Sequence, residues 1–475
     1  MNASNRLLSV FNERLDNIAV ITNEYKYTYQ ELLNYINSAI TYFNLKNISV
    51  KDRVAVELQN SIEFLIIYLA AFWKGYTIVP INPLLPEEDK QYIKDIIQPK
   101  EYIKNKFNLN DIKNEYKKND IESLVEVDVE FGIFFTSGTT SKPKGVCHTA
   151  NALIKNAEAF NEQVGLKENV NMLHVMPMGY MAGFLNTVLC PLLAGGTVIL
   201  APQFNVKQAM SFWDMPIKFS ANTVWLSPTM AAVLARLNRS QKISDWTKKN
   251  LKSVFVGTAP FSKSVREKFE STFSVKCLES YGMTETLFLT SQTPNAKENQ
   301  NTVGSALKKI EVQIRNEDGE RLNTGEEGRI WVKTDYLYTR YFNSNETDVI
   351  KGNSKWFFTG DQGSINNDRE ITITGRIKDI IIHGGTNISP RSVEDKLREF
   401  DEVQDVVVYG VPHPFWGEEV VASIIPKNKI DLKRLKLYCE QCLSPDAVPA
   451  IIKIVEEFPR TSTGKIQVQK LRDMI

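Results

Sequence analysis

DRVAVELQNSIEFLIIYLAAFWKGYTIVPIN, residues 52–82, contains in one short span the repeating unit of the fold. DRVAVEL is an apolar run of strand length rich in β-branched residues. NSIEFLIIYLAAFWKG is long enough for a helix, with a cap near Asn60 and a glycine stop at Gly75, and YTIVPIN reads as the next strand. Strand, helix and strand in this order form a βαβ unit. The pattern returns in NMLHVMPM, FLNTVLCPLLAGG and TVILAP, and again in ANTVWLSP, TMAAVLARL, LKSVFVGTAP, KSVREKFESTF and VKCLESYGM. The expected fold is α/β, with two doubly wound, mostly parallel sheets in succession. Ligands of such sheets sit beyond the carboxyl ends of the strands, where GTAP and YGMTE are expected as loops.

After Gly304 the texture changes to short strands separated by turns such as EDGE and TGEEG. This predicts a small antiparallel, barrel-like β unit ending near residue 375. A glycine-marked break follows in GRIKDIIIHGGTNISP, and beyond it Ser389 and Pro390 are expected to cap and open a helix with Val393, Leu397 and Phe400 on one face. DVVVYGVP and VVASIIP read as further strands. The expected division is a large N-terminal domain, 1–375, and a small α+β C-terminal domain, 376–475.

Composition narrows the function. A formal charge of +1 over 475 residues provides no basic field to gather nucleic acid, so nucleic acid is not an expected partner. The opening MNASNRLLSVFNERLDN lacks the apolar core of a secretory signal, and the longest apolar run, Phe64 to Trp73, is too short to cross a bilayer. The expectation is a cytoplasmic protein with no transmembrane segment. Five scattered cysteines suit a reducing compartment. Cys439 and Cys442 share a helical face with Leu432 and Leu435, which favours core packing over a metal or redox role.

TSGTTSKPKG, Thr136 to Gly145, follows the apolar strand FGIFF. Thr136, Ser137, Gly138, Thr139 and Thr140 are small enough for backbone N–H groups to approach phosphate oxygens. Their hydroxyls can donate further bonds, and Lys144 adds charge. The loop reads as a phosphate grip. It is not a Walker A loop, because no GK[ST] stands at the required spacing.

With that loop, the succession YGMTE (281–285), GEEGRI (325–330), WFFTGD (356–361), GRIKD (375–379) and PRTSTGK (459–465) resembles the adenylate-forming, or AMP-binding, superfamily, and in particular its acyl-CoA and aryl-CoA synthetases. The resemblance runs from YTYQEL near residue 27 to the C-terminal GKIQVQKLR. It implies ATP, Mg²⁺ and coenzyme A as cofactor and co-substrates, and a carboxylic acid converted first to an acyl-adenylate and then to a thioester. By matching position, Tyr281 lies against adenine, with Gly257, Thr258 and Ala259 bordering it and Gly282 also in the nucleotide site. Asp361 accepts the ribose hydroxyls and Arg376 helps hold the ribose. Thr284 touches the α-phosphate, Glu285 holds the metal, and Lys465 reaches the reacting carboxylate. The small domain is implied to be mobile, turning about Lys378 to bring Gly384 and Gly385 to the thiol channel. Taken singly, Glu285 also reads as a helix N-terminal carboxylate, Asp361 as a turn residue, Arg376 as a surface ion pair and Gly384-Gly385 as an ordinary turn. The four histidines read as structural or peripheral.

Amino-acid-activating relatives carry an aspartate where MPMGYMAGF has Met181. Without a carboxylate for an α-ammonium, an amino-acid substrate is disfavoured. Tyr180 stands at the usual histidine position, and Tyr180, Gly183, Trp225 and the Gly257 and Gly282 loops are the candidate acyl pocket. Three readings remain open: an acyl-CoA synthetase, a ligase that loads an acyl carrier protein, and a non-catalytic nucleotide or acyl-adenylate sensor.

Overall fold

The computed structural model describes residues 3–104, 129–136, 142–238, 240–294, 302–342, 356–460 and 466–475. The chain packs as two units. One comprises Met1–Asn299, Gly304–Ile310 and Thr334–Lys355; the other comprises Gln300–Val303, Glu311–Lys333 and Trp356–Ile475.

The opening βαβ unit forms as its sequence predicts. Strands Arg53–Val56 and Thr77–Pro80 pair in parallel around the helix Ile62–Lys74. Ser61 caps that helix through its side chain, one residue beyond Asn60, and Gly75 ends it in the left-handed conformation at φ 72°. These strands belong to a six-stranded mixed sheet that also contains Glu101–Ile103, Glu130–Thr136, Lys144–Thr149 and Arg340–Tyr341.

The second sheet has nine strands. Parallel pairing links Ile18–Ile21, Thr197–Leu200, Asn171–His174, Thr223–Leu226, Ser253–Val256 and Cys277–Met283. Antiparallel edges are added by Lys26–Thr28 on one side and by Leu287–Ser291 with Ser305–Ala306 on the other. The two sheets are interleaved in sequence: residues 18–28 serve the second sheet and Arg340–Tyr341 serves the first. Local periodicity predicts the strands, but pairing across hundreds of residues depends on packing that it does not encode.

Gly257–Pro260 is a loop beyond strand Ser253–Val256, as expected. Tyr281 and Gly282 instead continue strand Cys277–Met283, and the turn falls at Thr284–Thr286. The helix expected over FLNTVLCPLLAGG runs from Met181 to Leu193, with one widened, π-type turn at Leu185–Leu189. Pro191 has no N–H for a regular bond to Thr187, and widening just before it avoids the clash.

In the second unit, Glu311–Arg315, Gly328–Lys333, Phe357–Ile365 and Ile371–Arg376 form a four-stranded antiparallel sheet in chain order. Beyond it, Val403–His413 and Gly417–Pro426 form a long hairpin. Ile381–His383, with Thr386–Ile388 beyond it, and Ile451–Ile454 extend the sheet on the Gly417–Pro426 side. The helices Pro390–Arg398 and Leu432–Cys442 contribute Val393, Leu397, Leu435 and Cys439 to its core. Cys439 is core, as expected, whereas Leu432 is 42% exposed at the first turn. Ser389 occupies the N-cap position without capping: its hydroxyl donates to the Thr374 carbonyl at 2.9 Å. No helix among the described residues is long and apolar enough to cross a membrane.

Candidate active site

Ser137, Gly138, Thr139, Thr140 and Lys465 lie outside the described residues. The flanks of the expected phosphate grip are described. Thr136 ends strand Glu130–Thr136 and Lys144 begins strand Lys144–Thr149, and the two pair in register. Lys144 is exposed, with Nζ 5.3 Å from the centroid of the Tyr341 ring.

Tyr341 is the residue that sequence reasoning missed. Its hydroxyl donates to Glu285 Oε1 at 3.0 Å, and burial, reinforced by the Glu285 charge, pushes its pKa well above the ordinary tyrosine value. The phenol therefore remains a proton donor. Arg340 holds the strand in place with a two-pronged bond to Glu130, at 2.7 and 2.9 Å. Tyr338 donates its backbone N–H to the Glu285 carbonyl at 2.8 Å and packs its ring 4.7 Å from that of Tyr341. The only sign in the sequence is the aromatic run YLYTRYF at 336–342, which has no periodicity to suggest a role.

The Thr284–Glu285 turn is fixed from a second side by His148. Its Nε2 lies 2.6 Å from the Thr284 carbonyl, which can only accept, so this nitrogen carries the proton. Complete burial lowers the His148 pKa to about 4 and holds the ring neutral near pH 7. A histidine expected to be structural or peripheral thus positions the motif. Thr286 closes the turn by accepting from Met283 N at 3.2 Å. Beneath it, buried Arg266 bonds Glu279 at 2.8 Å and the Cys277 carbonyl at 3.0 Å, bracing the strand that carries Tyr281.

Backbone strain marks the same region. Thr258 has φ +74° in the Gly257–Ala259 loop, and Leu287 has φ +58° just after the Thr284–Thr286 turn. Such geometry in side-chain-bearing residues costs about 1–3 kcal/mol each and concentrates at functional sites. Gly282 is fixed by crowding: a Cβ there would stand 2.0 Å from the Leu287 carbonyl oxygen. Gly183 is equally constrained, with Pro177 O at 2.0 Å. Tyr180 stands just before helix Met181–Phe184 and is half-buried, and Trp225 is fully buried in strand Thr223–Leu226 among Phe160, Phe255 and Phe288. The loop before Tyr180 is tied to the first sheet by Asn60, which bonds Met176 O and Met178 N at 2.9 Å each, and by Tyr68, which donates to Met178 O at 2.7 Å.

In the second unit, Asp361 and Arg376 are register partners on neighbouring strands, and Arg376 Nε donates to Asp361 Oδ1 at 2.9 Å. Asp361 is buried and Arg376 exposed. Lys378 is exposed in the single helical turn Ile377–Asp379. Gly384 and Gly385 form the two-residue turn of a hairpin with φ +57° and +89°, so the turn by itself favours glycine at both positions.

The model of the family described as AMP-binding enzyme matches residues 9–342. The chain belongs to the AMP-binding enzyme family. Its C-terminal part matches a second model, the AMP-binding enzyme C-terminal domain, over residues 392–465. Asp361, Arg376, Lys378, Gly384 and Gly385 lie between the two matched ranges. An oxalate–CoA ligase of Arabidopsis thaliana is 28% identical over 449 residues, covering 88% of this chain and 87% of the relative. A 2-succinylbenzoate–CoA ligase of Staphylococcus epidermidis is 28% identical over 477 residues, covering 96% and 94%. Among solved structures, ATP-bound MatB from Rhodopseudomonas palustris superposes with a TM-score of 0.90 at 24% identity, covering 100% of this chain and 99% of that one. The α/β architecture expected from the sequence is thus that of AMP-binding enzymes.

Proposed function

We propose that this AMP-binding enzyme is an ATP-dependent acid–thiol ligase that joins a carboxylic acid to AMP with release of pyrophosphate and then passes the acyl group to the thiol of coenzyme A. The observation that carries the reading is the Thr284–Glu285 turn, held by His148 and Tyr341, with the Lys144 cation 5.3 Å from the centroid of the phenol ring. A fixed carboxylate and a nearby cation at strand ends suit a phosphate-bearing substrate. The CoA ligases among the relatives support the thiol step.

Attack of a carboxylate oxygen on the α-phosphate brings two anions together, so the barrier is chiefly electrostatic and needs no protein nucleophile. In this reading Thr284 donates to the α-phosphate, Lys465 meets the developing charge, and Ser137 to Thr140 hold the outgoing pyrophosphate. Tyr281 lies on adenine, while Asp361 accepts from the ribose hydroxyls, with Arg376 fixing its carboxylate. Glu285 fits a magnesium ion: its Oε1 is oriented by Tyr341, and Mg²⁺ takes few protein carboxylates alongside phosphate oxygens. Bound there, the metal would neutralise phosphate charge.

The test is ATP–pyrophosphate exchange over a panel of carboxylic acids, followed by addition of coenzyme A or a phosphopantetheinyl carrier protein. Acid-dependent exchange and a CoA thioester are expected. Thioester on the carrier protein alone would move the acceptor to that protein. Nucleotide binding without exchange for any acid would leave a sensor and overturn the reading.

A further inference from the structure

Two fully buried side chains on neighbouring strands each carry a ring nitrogen that no described residue hydrogen-bonds: His174 Nε2 and Trp225 Nε1. The register pairs Met172 with Thr223 and Leu173 with Val224. His174 and Trp225 come next on their strands and point to the same face of the sheet. Leu173 and Val224 enter the apolar cluster on the opposite face. Trp225 packs against Phe160 of helix Ala150–Val164, and His174 meets Thr187 in the widened helical turn.

The hydrogen-bond network fixes the protons. Thr187 Oγ1 spends its only proton on the Gly183 carbonyl at 3.0 Å. At 2.6 Å from His174 Nδ1 it can therefore only accept, and Nδ1 carries the ring proton. Burial lowers the His174 pKa to about 3, so the ring is neutral and Nε2 is a bare acceptor. The indole N–H is a donor only. Leaving either group unpaired in the interior is unfavourable. The indole ring also reaches the Gly257 loop: its Cζ2, two bonds from Nε1, is 3.8 Å from where a Cβ on Gly257 would stand.

We propose that His174 and Trp225 form the polar floor of the acyl pocket and select an acid whose tail ends in a neutral group that both donates and accepts, such as a hydroxyl or carboxamide. The inference rests on the acid-adenylating reading above. A second carboxylate does not suit this floor, because the bare Nε2 would repel it. The fully or nearly buried cations among the described residues, Lys90 and Arg266, are paired with Glu57 and Glu279. A plain hydrocarbon tail would leave both nitrogens unpaired.

The test measures pyrophosphate exchange by the full chain with hexanoic, 6-hydroxyhexanoic and adipic acids, and with 3-phenylpropanoic and 3-(4-hydroxyphenyl)propanoic acids. In at least one of the two series the hydroxylated acid is expected to have a kcat/KM about tenfold or more above its hydrocarbon parent, the size of one well-made hydrogen bond. In the aliphatic series adipic acid should fall below 6-hydroxyhexanoic acid. Trp225→Phe keeps an aromatic ring and removes the donor, so it should bring the hydroxyl preference toward one. Exchange with several acids but no hydroxyl preference, a preference for adipic acid, or a preference unchanged in Trp225→Phe would overturn the inference and leave adenylation standing. Exchange with no acid would instead remove the adenylation reading on which it rests.

Discussion

The Tyr341 hydroxyl donates to Glu285 Oε1 at 3.0 Å, joining a short edge strand of one sheet to the motif turn at the end of another. The bond selects one orientation of a carboxylate that would otherwise rotate. Tyr341→Phe keeps the ring against Tyr338 and removes only the donor. A hydrogen bond to a charged acceptor contributes about 1.5–3 kcal/mol, so pyrophosphate exchange should fall roughly 10- to 100-fold. The Mg²⁺ concentration for half-maximal exchange should rise while the melting temperature stays within a few degrees. An unchanged Mg²⁺ requirement would confine Tyr341 to a packing role.

Strain at Thr258 leads to a separate expectation. Glycine adopts φ +74° freely, so Thr258→Gly should relieve part of the strain and raise stability by about 1 kcal/mol, less the extra chain entropy glycine loses on folding. The relaxed loop should bind ATP more weakly. Thermal melts and the KM for ATP measured on one preparation would test both, and a variant that melts lower with unchanged KM would contradict the strain reading.

His148 and His174 make the fold sensitive to mild acid. Their folded-state pKa values, about 4 and about 3, lie below the ordinary imidazole value of about 6.5. As pH falls through 6.5 the unfolded chain takes up protons that the folded chain refuses. Stability is therefore complete above 6.5 and declines until the folded groups also titrate. By linkage, His148 alone should account for about 2 kcal/mol by pH 5. His148→Gln retains an N–H for the Thr284 carbonyl but does not titrate, so it should lose that much less stability than the parent between pH 7.5 and 5. Parallel melting curves for the two proteins would exclude the effect.

The sequence disclosed the parts that depend on neighbours along the chain. The βαβ repeat, the glycine helix stops and the ordered motifs all follow from spacing over a few residues. Asp361 and Arg376, singled out separately, meet as register partners. Tyr341 and His148 were not legible as site residues, because each acts on the Thr284–Glu285 turn from about 56 and 136 positions away. Their local sequence carries no mark of that distant contact. The diglycine was legible as a turn, and its two positive φ angles make that requirement sufficient by itself.

Lys465 lies outside the described residues, and its role can be tested by separating the two half-reactions. Lys465→Ala should reduce pyrophosphate exchange by roughly 10²- to 10³-fold, the loss expected for one preorganised charge donor at about 3–4 kcal/mol. Thioester formation from supplied acyl-adenylate should continue at close to the parent rate. An equal loss in both half-reactions would remove Lys465 from the adenylation step.

The proposed hinge distinguishes a two-step ligase from an enzyme that stops at the adenylate. Lys378 is exposed in the single helical turn Ile377–Asp379, between strand Ile371–Arg376 and strand Ile381–His383. The Ser389–Thr374 hydrogen bond spans this turn, so a rotation at Lys378 must break or redirect it. Lys378→Pro fixes φ near −65° and, by crowding the preceding residue, restricts Ile377 as well. A backbone limited at this point should favour one pose, so adenylation should survive better than thioester formation. Gly385→Asn examines the same step without touching the hinge. Asparagine is among the residues that best tolerate positive φ, and a Cβ at this position meets nothing within 4 Å, so the cost to the fold is confined to the turn. If the turn admits the thiol arm, its added side chain should slow acyl transfer and leave pyrophosphate exchange near the parent rate. Transfer to coenzyme A at the parent rate in both variants would mean that the thiol reaches the adenylate by a route that neither the Lys378 backbone nor the diglycine turn controls.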